Sequence, residues 1–403
     1  MTSTTIRPPQ PGADDRDNNR ALSARVVLGR VFAPVPSEFL LILSTALLLT
    51  GFGLVMVLSA TSAVGSANGD KPYEALIKQA VFAVIGIPLM LIASRFSISF
   101  WKKIAWPGLI AATAFQMLVF TPLGINNDGN TNWIRIAGLQ AQPSEFLKLT
   151  LALWLGYVLF RKRTLLGLWR HVFIPVVPVS IAVIATVMAG HDLGTAMILV
   201  LIVLAALFFS GVKLRIFLIP MLAGAVGVAI LAVTSSNRMK RILTLFDPVC
   251  TDYDNACYQP LHGIWGLASG GVFGLGLGNS KQKYDWLPAA ANDYIFAIVG
   301  EELGLVGCCV VLVLFALFAV GAFHVIRRTN DPFVRIVSGA VTVWIVGEAL
   351  LNIAVVLRLF PVLGVPLPFL SQGGTSLLST LLACGVLLSF ARSLPAKKPA
   401  ATG

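Results

Sequence analysis

The chain has 403 residues, of which 57% are hydrophobic and only 12% charged, and its formal net charge is +12. Soluble domains carry about 25% charged residues, so the composition excludes an ordinary soluble enzyme and indicates a protein that crosses the bilayer many times. A basic excess also raises the question of a nucleic-acid partner, which the positions of the Lys and Arg residues answer.

Apolar stretches of about 20 residues, broken by Pro, Gly and charged clusters, predict an all-α polytopic membrane protein with ten transmembrane helices. The predicted spans are 38–60, 77–95, 104–121, 145–160, 172–189, 193–210, 215–234, 294–320, 336–357 and 373–391. With the N-terminus inside, most Lys and Arg residues fall in inner segments, which is the positive-inside bias. Both termini are therefore expected in the cytoplasm, and the basic excess reflects topology and not nucleic-acid binding.

The spans divide the chain into three regions. Residues 1–37 are polar and charged, without a cleavable signal peptide, and they predict a disordered cytoplasmic tail. Residues 38–392 form the ten-span membrane domain, and 393–403 form a cytoplasmic C-terminal tail.

The first polar feature of the outer side precedes the fourth span, in "NTNWIRIAGLQAQPSEFLKL". Ser144 and Glu145 suit the N-cap and the first turn of that helix. Lys148 lies one turn inside an apolar helix, where a cation needs a partner, and Glu145 is the nearest candidate. Trp133 suits the aromatic belt at the membrane surface, and Asp192, in "GHDLGTA", suits the N-cap of the sixth span.

A large extracytoplasmic loop (235–293) separates the seventh and eighth spans and is far longer than an ordinary connector. Its start, "NRMKRILTLFDP", predicts a short amphipathic helix in the headgroup layer. Arg238 and Arg241 of this helix are either snorkelling anchors or a cationic mouth for a phosphate-bearing lipid. Further on, Cys250 and Cys257 lie where an oxidising compartment permits a disulfide, with two free thiols as the alternative. The Cys and His spacing predicts no metal site.

The second half of this loop, "GIWGLASGGVFGLGLGNSKQKYDWLP", is rich in glycine. So many glycines are unfavourable in a helix interior and indicate tight turns or close backbone approach. This glycine-rich stretch is followed by Asn279 and Ser280, and its backbone amides could bind phosphate. A re-entrant segment that lines a cavity is the alternative.

Asp293 closes the loop, directly before the eighth span. As an acid of the first helical turn it would be ordinary. The other unusual polar features lie on the same membrane face, however, and a partly buried carboxylate there could act as a general base on a hydroxyl. Glu301 and Glu302 lie deeper and are predicted to be paired buried acids. In the final outer loop, "RLFPVLGVPLPFLSQGGTSLL", three prolines prevent regular helix, and the small residues that follow are open to close packing or to a ligand.

These stretches together resemble the SEDS family (shape, elongation, division and sporulation). The resemblance rests on the loop from "NRMKRILTLFDP" to "GEELGLVG" and on "NWI…QPSEFLK", "DLGT" and "PLPFLSQGGTS" in the same order, and it covers residues 38–392. Within the family, "GLGNSKQK" and "GEELG" are more similar to the FtsW branch than to RodA.

The resemblance implies a peptidoglycan glycosyltransferase that polymerises lipid II at the outer face of the bacterial cytoplasmic membrane, at the division septum. It implies a class B penicillin-binding protein, other division proteins and membrane lipid as partners. Asp293 corresponds to the family's essential aspartate, and Trp133 to its functionally important tryptophan. As general base, Asp293 would take the proton of the C4 hydroxyl of lipid II, and undecaprenyl diphosphate would leave.

The predicted substrate-binding residues are Trp133, Lys148, Arg238, Arg241, Asn279, Ser280, Lys283, Ser371, Gln372 and Gly374. The residues predicted to have a structural role are Glu145, Asp192, Glu301, Glu302, Cys250 and Cys257. Two departures from the family pattern are Ala291-Asn292, where His-Thr is common, and Gln372, where an aromatic is common. The sequence predicts no dedicated cofactor site, although a divalent cation (Mg²⁺ or Mn²⁺) could help to neutralise the diphosphate.

Three alternatives stay open at this point. A lipid II flippase would need a polar path through the bilayer, which Glu145, Lys148, Glu301, Glu302 and Glu348 could mark. A RodA-like elongation polymerase would share the chemistry but not the septal location. A non-catalytic scaffold of the division machinery would not depend on Asp293.

Overall fold

The computed structural model describes residues 36–67, 73–127, 130–136, 138–234, 236–246, 253 and 256–395. The predicted N-terminal tail up to residue 35, the C-terminal tail beyond residue 395 and Cys250 lie outside the described residues. The Cys250–Cys257 disulfide therefore stays a prediction.

The described residues form twelve α-helices. They are α1 (Ser37–Ala67), α2 (Glu74–Ala93), α3 (Ile98–Met117), α4 (Ser144–Arg161), α5 (Trp169–Ala189), α6 (Leu193–Phe209), α7 (Leu214–Val233), α8 (Ser236–Leu243), α9 (Tyr258–Gly270), α10 (Ile295–Arg328), α11 (Pro332–Val356) and α12 (Gly374–Arg392). All but α8 and α9 coincide with the ten predicted spans, and the multi-pass helical fold is thereby confirmed. Within the described ranges, seven helices are long and apolar enough to cross a membrane by length and composition. The other three are α6 and α7, whose apolar stretches (Leu193–Phe209 and Leu214–Ile230) are shorter, and α4, which carries several charges.

The helices differ in how much of their surface is buried. Helix α4 packs against α3, α6 and α11. Helix α12 packs against α2, and helix α10 packs against α1, α9 and α11. Trp154 of α4 and Trp344 of α11 are fully buried, whereas α5 and α7 present large apolar side chains such as Ile174 and Leu222 on the surface. Since the bilayer is itself apolar, exposed apolar side chains on these outer helices suit contact with lipid. The interior of the bundle lies between α4, α11 and α12.

A small β-sheet, which the all-α prediction did not include, lies between α3 and α4. It is an antiparallel meander of β1 (Gly124–Asn127), β2 (Asn130–Ile136) and β3 (Leu139–Ala141). Ile134 of β2 pairs with Gly124 and Ala141 and is fully buried. The strands are short and rich in Asn, so their sequence carries little of the apolar alternation that predicts a strand.

Helix α10 is broken at Gly304, whose backbone has φ +65° and ψ −163°. The glycine-rich segment after α9 inserts its backbone at this break. The amides of Leu275 and Gly276 donate to the carbonyls of Glu301 and Glu302 (3.0 and 2.9 Å), and the Leu305 amide donates to Gly271 O (2.9 Å). Non-helical backbone at membrane depth requires such partners, because lipid offers none. This arrangement favours the re-entrant alternative for the glycine-rich loop, which stays a prediction.

Candidate active site

Asp293 lies in a turn directly before α10, at the end of the large outer loop. The N-cap position of α10 is Tyr294, and no side chain caps this helix end, so the Asp293 carboxylate does not serve as a helix cap. Its side chain is half-buried, and within the described residues no hydrogen bond or ion pair reaches the carboxylate. Burial, followed by the nearby Asp192 carboxylate, raises the pKa of Asp293 to about 6, and Arg241 opposes this shift. Above pH 6 the carboxylate is therefore ionised and open to a proton donor.

Three hydrogen bonds from two segments fix the backbone around Asp293. The Ser371 hydroxyl donates to Asn292 O (2.6 Å), and the Gln372 amide donates to Ala291 O (2.9 Å). The Asn352 side chain donates to the Asp293 carbonyl (2.7 Å). Backbone contacts of this number hold the carboxylate in one place, as a general base requires.

Ser371 and Gln372, two of the three residues of the last motif that were predicted to bind substrate, take part in this support. Gln79 of α2 donates to Ser371 O (3.2 Å) and accepts from the Gly373 amide (3.1 Å). Gly374 packs so closely against the Phe82 ring that a Cβ would collide with it. Ser371 and Gln372 thus lie beside the backbone that precedes Asp293, whereas Gly374 begins α12 against Phe82. Contact of these three residues with substrate stays a prediction.

Asp192 borders the same site. It is the N-cap of α6, and its carboxylate accepts from the Thr195 amide (2.9 Å). It also accepts from the Asn132 and Gln142 side chains (3.1 and 3.0 Å). Asn132 belongs to β2, so Asp192 joins α6 to the sheet that carries the half-buried Trp133.

Arg241 lies near Asp293, and a second arginine, Arg358, lies near Tyr294. Arg241, in the last turn of α8, is exposed, and its guanidinium donates to Val362 O (3.4 Å). Arg358, in the turn after α11, donates to Thr244 O (2.9 Å). Arg358 was not among the predicted site residues, although an arginine in an outer loop departs from the positive-inside bias and could have indicated it. Arg238 lies in α8, and its side chain is outside what the structure describes.

Glu301 and Glu302 form a second, fully buried cluster at the break in α10. Glu301 accepts from the Ser280 hydroxyl and from the Lys281 amide (2.9 Å). Glu302 accepts from Ser59 of α1 (2.6 Å) and pairs with Lys283 (3.3 Å). The two acids are buried as predicted, but they bind donors from the loop and from α1 and not each other. Asn279 is exposed, whereas Ser280 and Lys283 are buried, and these contacts favour a structural role for the two buried residues.

A third charged cluster lies between α4, α11 and α12. The Lys148 ammonium contacts Glu145 (2.8 Å) and Glu348 (2.9 Å), and all three side chains are nearly inaccessible. Trp344 donates to Glu348 (2.5 Å), and Ser379 donates to Glu145 (3.1 Å). The predicted Glu145–Lys148 pair is confirmed, and Glu348 is a second partner that the sequence did not assign.

The predicted N-cap of α4 was wrong. The cap position is Pro143, so Ser144 is the first helical residue. Its buried hydroxyl has no hydrogen-bond partner among the described residues.

Throughout the described residues, no group of three or more His, Cys, Asp or Glu side chains converges as metal ligands would. The divalent cation therefore stays a prediction.

Comparison with known proteins places this arrangement in a family. Residues 39–395 match the family model FTSW_RODA_SPOVE, described as "Cell cycle protein". The chain is 37% identical to the probable peptidoglycan glycosyltransferase FtsW of Mycobacterium tuberculosis, over 95% of this chain and 73% of that protein. It is 32% identical to stage V sporulation protein E of Bacillus subtilis, over 88% of this chain and 97% of that protein.

Solved structures share the fold. A chain of a peptidoglycan synthase complex that coordinates polymerization and crosslinking superimposes with a TM-score of 0.72 at 22% identity, covering 90% of this chain and 98% of that one. The rod shape determining protein RodA of Thermus thermophilus superimposes with a TM-score of 0.66 at 22% identity, covering 91% and 99%.

Proposed function

The chain belongs to the FtsW/RodA/SpoVE family, and from this premise we propose that it is a peptidoglycan glycosyltransferase that polymerises lipid II into glycan strands. The observation that carries the proposal is Asp293: its backbone is held by two segments, its carboxylate has no partner among the described residues, and the Arg241 guanidinium lies near it. An ionised carboxylate and nearby cations are what a glycosyl transfer with a diphosphate leaving group requires.

In the proposed step, Asp293 accepts the proton of the C4 hydroxyl of the incoming lipid II. The freed oxygen forms a bond to the anomeric carbon of the growing strand, and the bond between that carbon and the diphosphate oxygen breaks. Undecaprenyl diphosphate leaves with the electron pair, and Asp293 later returns its proton to water. A pKa of about 6 leaves most of the carboxylate ionised at neutral pH and therefore able to act as a base.

The cations that could neutralise the leaving diphosphate are not equivalent in the structure. Arg241 is exposed beside Asp293, and Arg238 shares its helix. Lys148 and Lys283 are held in buried ion pairs and are therefore assigned to support of the fold in this proposal. Trp133 and Asn279 remain candidates for contact with the sugar portion of the lipid.

The proposal includes the cellular setting. The protein is a multi-pass bacterial membrane protein, and we place its reaction at the outer face of the cytoplasmic membrane, with both termini in the cytoplasm. Its similarity to FtsW proteins supports a role in septal synthesis more than in elongation. A class B penicillin-binding protein would cross-link the strands that it makes.

The contacts argue against the flippase alternative. The charged residues that could mark a polar path fall into two separate clusters, one at the break in α10 and one between α4, α11 and α12. In each cluster the carboxylates bind lysine, serine or backbone donors of this chain. Groups that are already paired have little capacity to coordinate a passing headgroup.

The decisive experiment is strand synthesis from purified lipid II by the protein co-purified with its class B partner, whose transpeptidase is blocked. We expect long strands from the wild type and none from Asp293→Asn. Asp285→Asn is the matched control, because Asp285 is an exposed acid of the same loop and Asn tolerates its positive φ of 62°. Strands from Asp293→Asn at the wild-type rate would refute the base assignment, and no strands from the wild type would refute the enzyme.

A further inference from the structure

The backbone of Arg358 adopts a conformation that disfavours any residue with a Cβ. Its φ is +56°, in the left-handed region that usually requires glycine. Three other non-glycine residues with positive φ flank the same site: His191 precedes Asp192, Ala289 accepts from the Tyr294 amide, and Phe369 lies two residues before Ser371. Strained backbone of this kind concentrates at functional sites, and it directs attention to what the Arg358 side chain does.

The Arg358 side chain ties two outer segments together. Its guanidinium donates to the carbonyl of Thr244 (2.9 Å), in the turn that ends α8. In return, Arg241 of α8 donates to the carbonyl of Val362 (3.4 Å), four residues after Arg358. Thr244 is buried, and its hydroxyl donates to Arg241 O (2.8 Å). The end of α8 is thus joined to the 357–362 turn by a reciprocal pair of arginine contacts.

The Arg241 charge acts on both Asp293 and Tyr294, and the Arg358 charge acts on Tyr294. Arg241 lowers the pKa of Asp293 against the effects of burial and of Asp192. Arg241 and Arg358 also both lower the pKa of Tyr294, the next residue, although burial and Asp293 raise it overall. Among the described residues Arg241 forms no ion pair with the carboxylate, so its charge near the base is left for an anionic ligand.

We propose that Arg358 is a positioning residue of this site: it holds the end of α8 at the outer rim, so that Arg241 stays beside Asp293 and meets the diphosphate of the substrate. This inference rests on the proposed function for the identity of the ligand, a lipid-linked sugar diphosphate. The contacts that hold α8 do not depend on that identity. A guanidinium suits the task because its fork of donors can grip a carbonyl and keep its full charge.

The strained backbone makes Arg358→Gly an informative variant. Glycine removes the side-chain contact and also relieves the left-handed strain, so we expect no loss of thermal stability. We expect the backbone amides of residues 239–246 to exchange hydrogen roughly tenfold faster, because the end of α8 loses its tether. Leu359→Ala is the control, since Leu359 is 72% exposed in the same turn and should change neither quantity.

The kinetic readout separates positioning from mere structural support. We expect Arg358→Gly to raise KM for lipid II roughly tenfold, the factor that accompanies loss of one hydrogen bond to a charged group. The acid limb of the pH profile should move to higher pH, as it should in Arg241→Gln, and the double variant should add little to either single one. Arg358→Lys should restore part of the effect.

The outcomes are distinguishable. Unchanged amide exchange in Arg358→Gly would overturn the tether, whether or not the protein polymerises lipid II. Faster exchange together with an unchanged KM and pH profile would overturn the positioning role. Absence of strand synthesis by the wild type, with faster exchange in the variant, would leave the tether established and refute the proposed function alone.

Discussion

For the ion cluster between α4, α11 and α12, we predict that burial of the charges, and not the distance between them, determines how much stability is lost when the cation is removed. Lys148 contacts Glu145 at 2.8 Å and Glu348 at 2.9 Å, and the three side chains are 1 to 3% exposed. Lys148→Met keeps the approximate shape of the side chain but leaves two carboxylates without their cation in an apolar interior. Breaking a buried ion pair costs about 3–5 kcal/mol, so we expect the free energy of unfolding to fall by about 4 kcal/mol.

Two further variants test that reasoning in denaturant titrations of the detergent-solubilised protein. Lys78→Met removes an equally short pair with Glu74 (2.7 Å) whose side chains are more than half exposed, and it should cost less than about 0.5 kcal/mol. The triple variant Lys148→Met, Glu145→Gln, Glu348→Gln has no unpaired charge, and Ser379 and Trp344 can still donate to the amides, so it should recover most of the loss. A loss below about 1 kcal/mol in Lys148→Met, or an equal loss in the triple variant, would refute the argument.

Three other changes have outcomes that follow from the site. The pKa of Asp293 is raised from 3.8 to about 6 in the folded state, so ionisation costs the fold stability as the pH rises from 3.8 to about 6, and this cost is complete above pH 6. Asp293→Asn should therefore raise the melting temperature above pH 6 but not at pH ~3, where the carboxyl is protonated in the folded and the unfolded chain. Because Arg241 lowers that pKa, Arg241→Gln should move the acid limb of polymerisation, expected near pH 6, to higher pH, and an unmoved limb would contradict the assignment. Gly304→Ala should lose at least about 2 kcal/mol in denaturant titrations, since a Cβ would collide with Val272 O and Gly274 N and the φ is positive, and near-wild-type stability would show that the break is not needed.

Features that depend on residues close together in the sequence could be predicted from the sequence. The spans follow from the bilayer, which requires long apolar helices; the sixth was expected at 193–210 and runs from Leu193 to Phe209. The cap of that helix by Asp192 and the partner of Lys148 three residues away depend on local chemistry. The position of Asp293 before a span was likewise visible in the chain order.

Features that depend on tertiary packing could not be predicted in the same way. Glu348 meets Lys148 only because α11 packs against α4, and nothing in either helix specifies that contact. Ser59 binds Glu302 across a similar separation in the chain. Arg358 lies in a turn with a left-handed backbone conformation. Glycine is the residue type that usually indicates such a conformation, and an arginine at this position gives no such signal.

The contacts at the outer face explain why one carboxylate differs from its neighbours. Asp192, Glu301 and Glu302 have oxygens that accept from donors of this chain, and each joins elements that would otherwise be separate. Asp293 shows the opposite pattern: its backbone is held on both sides, yet its carboxylate accepts no hydrogen bond within the described residues. A half-buried acid without a partner costs free energy and contributes nothing to holding the fold. Its fixed position and open oxygens are instead the properties that a general base needs before its substrate arrives.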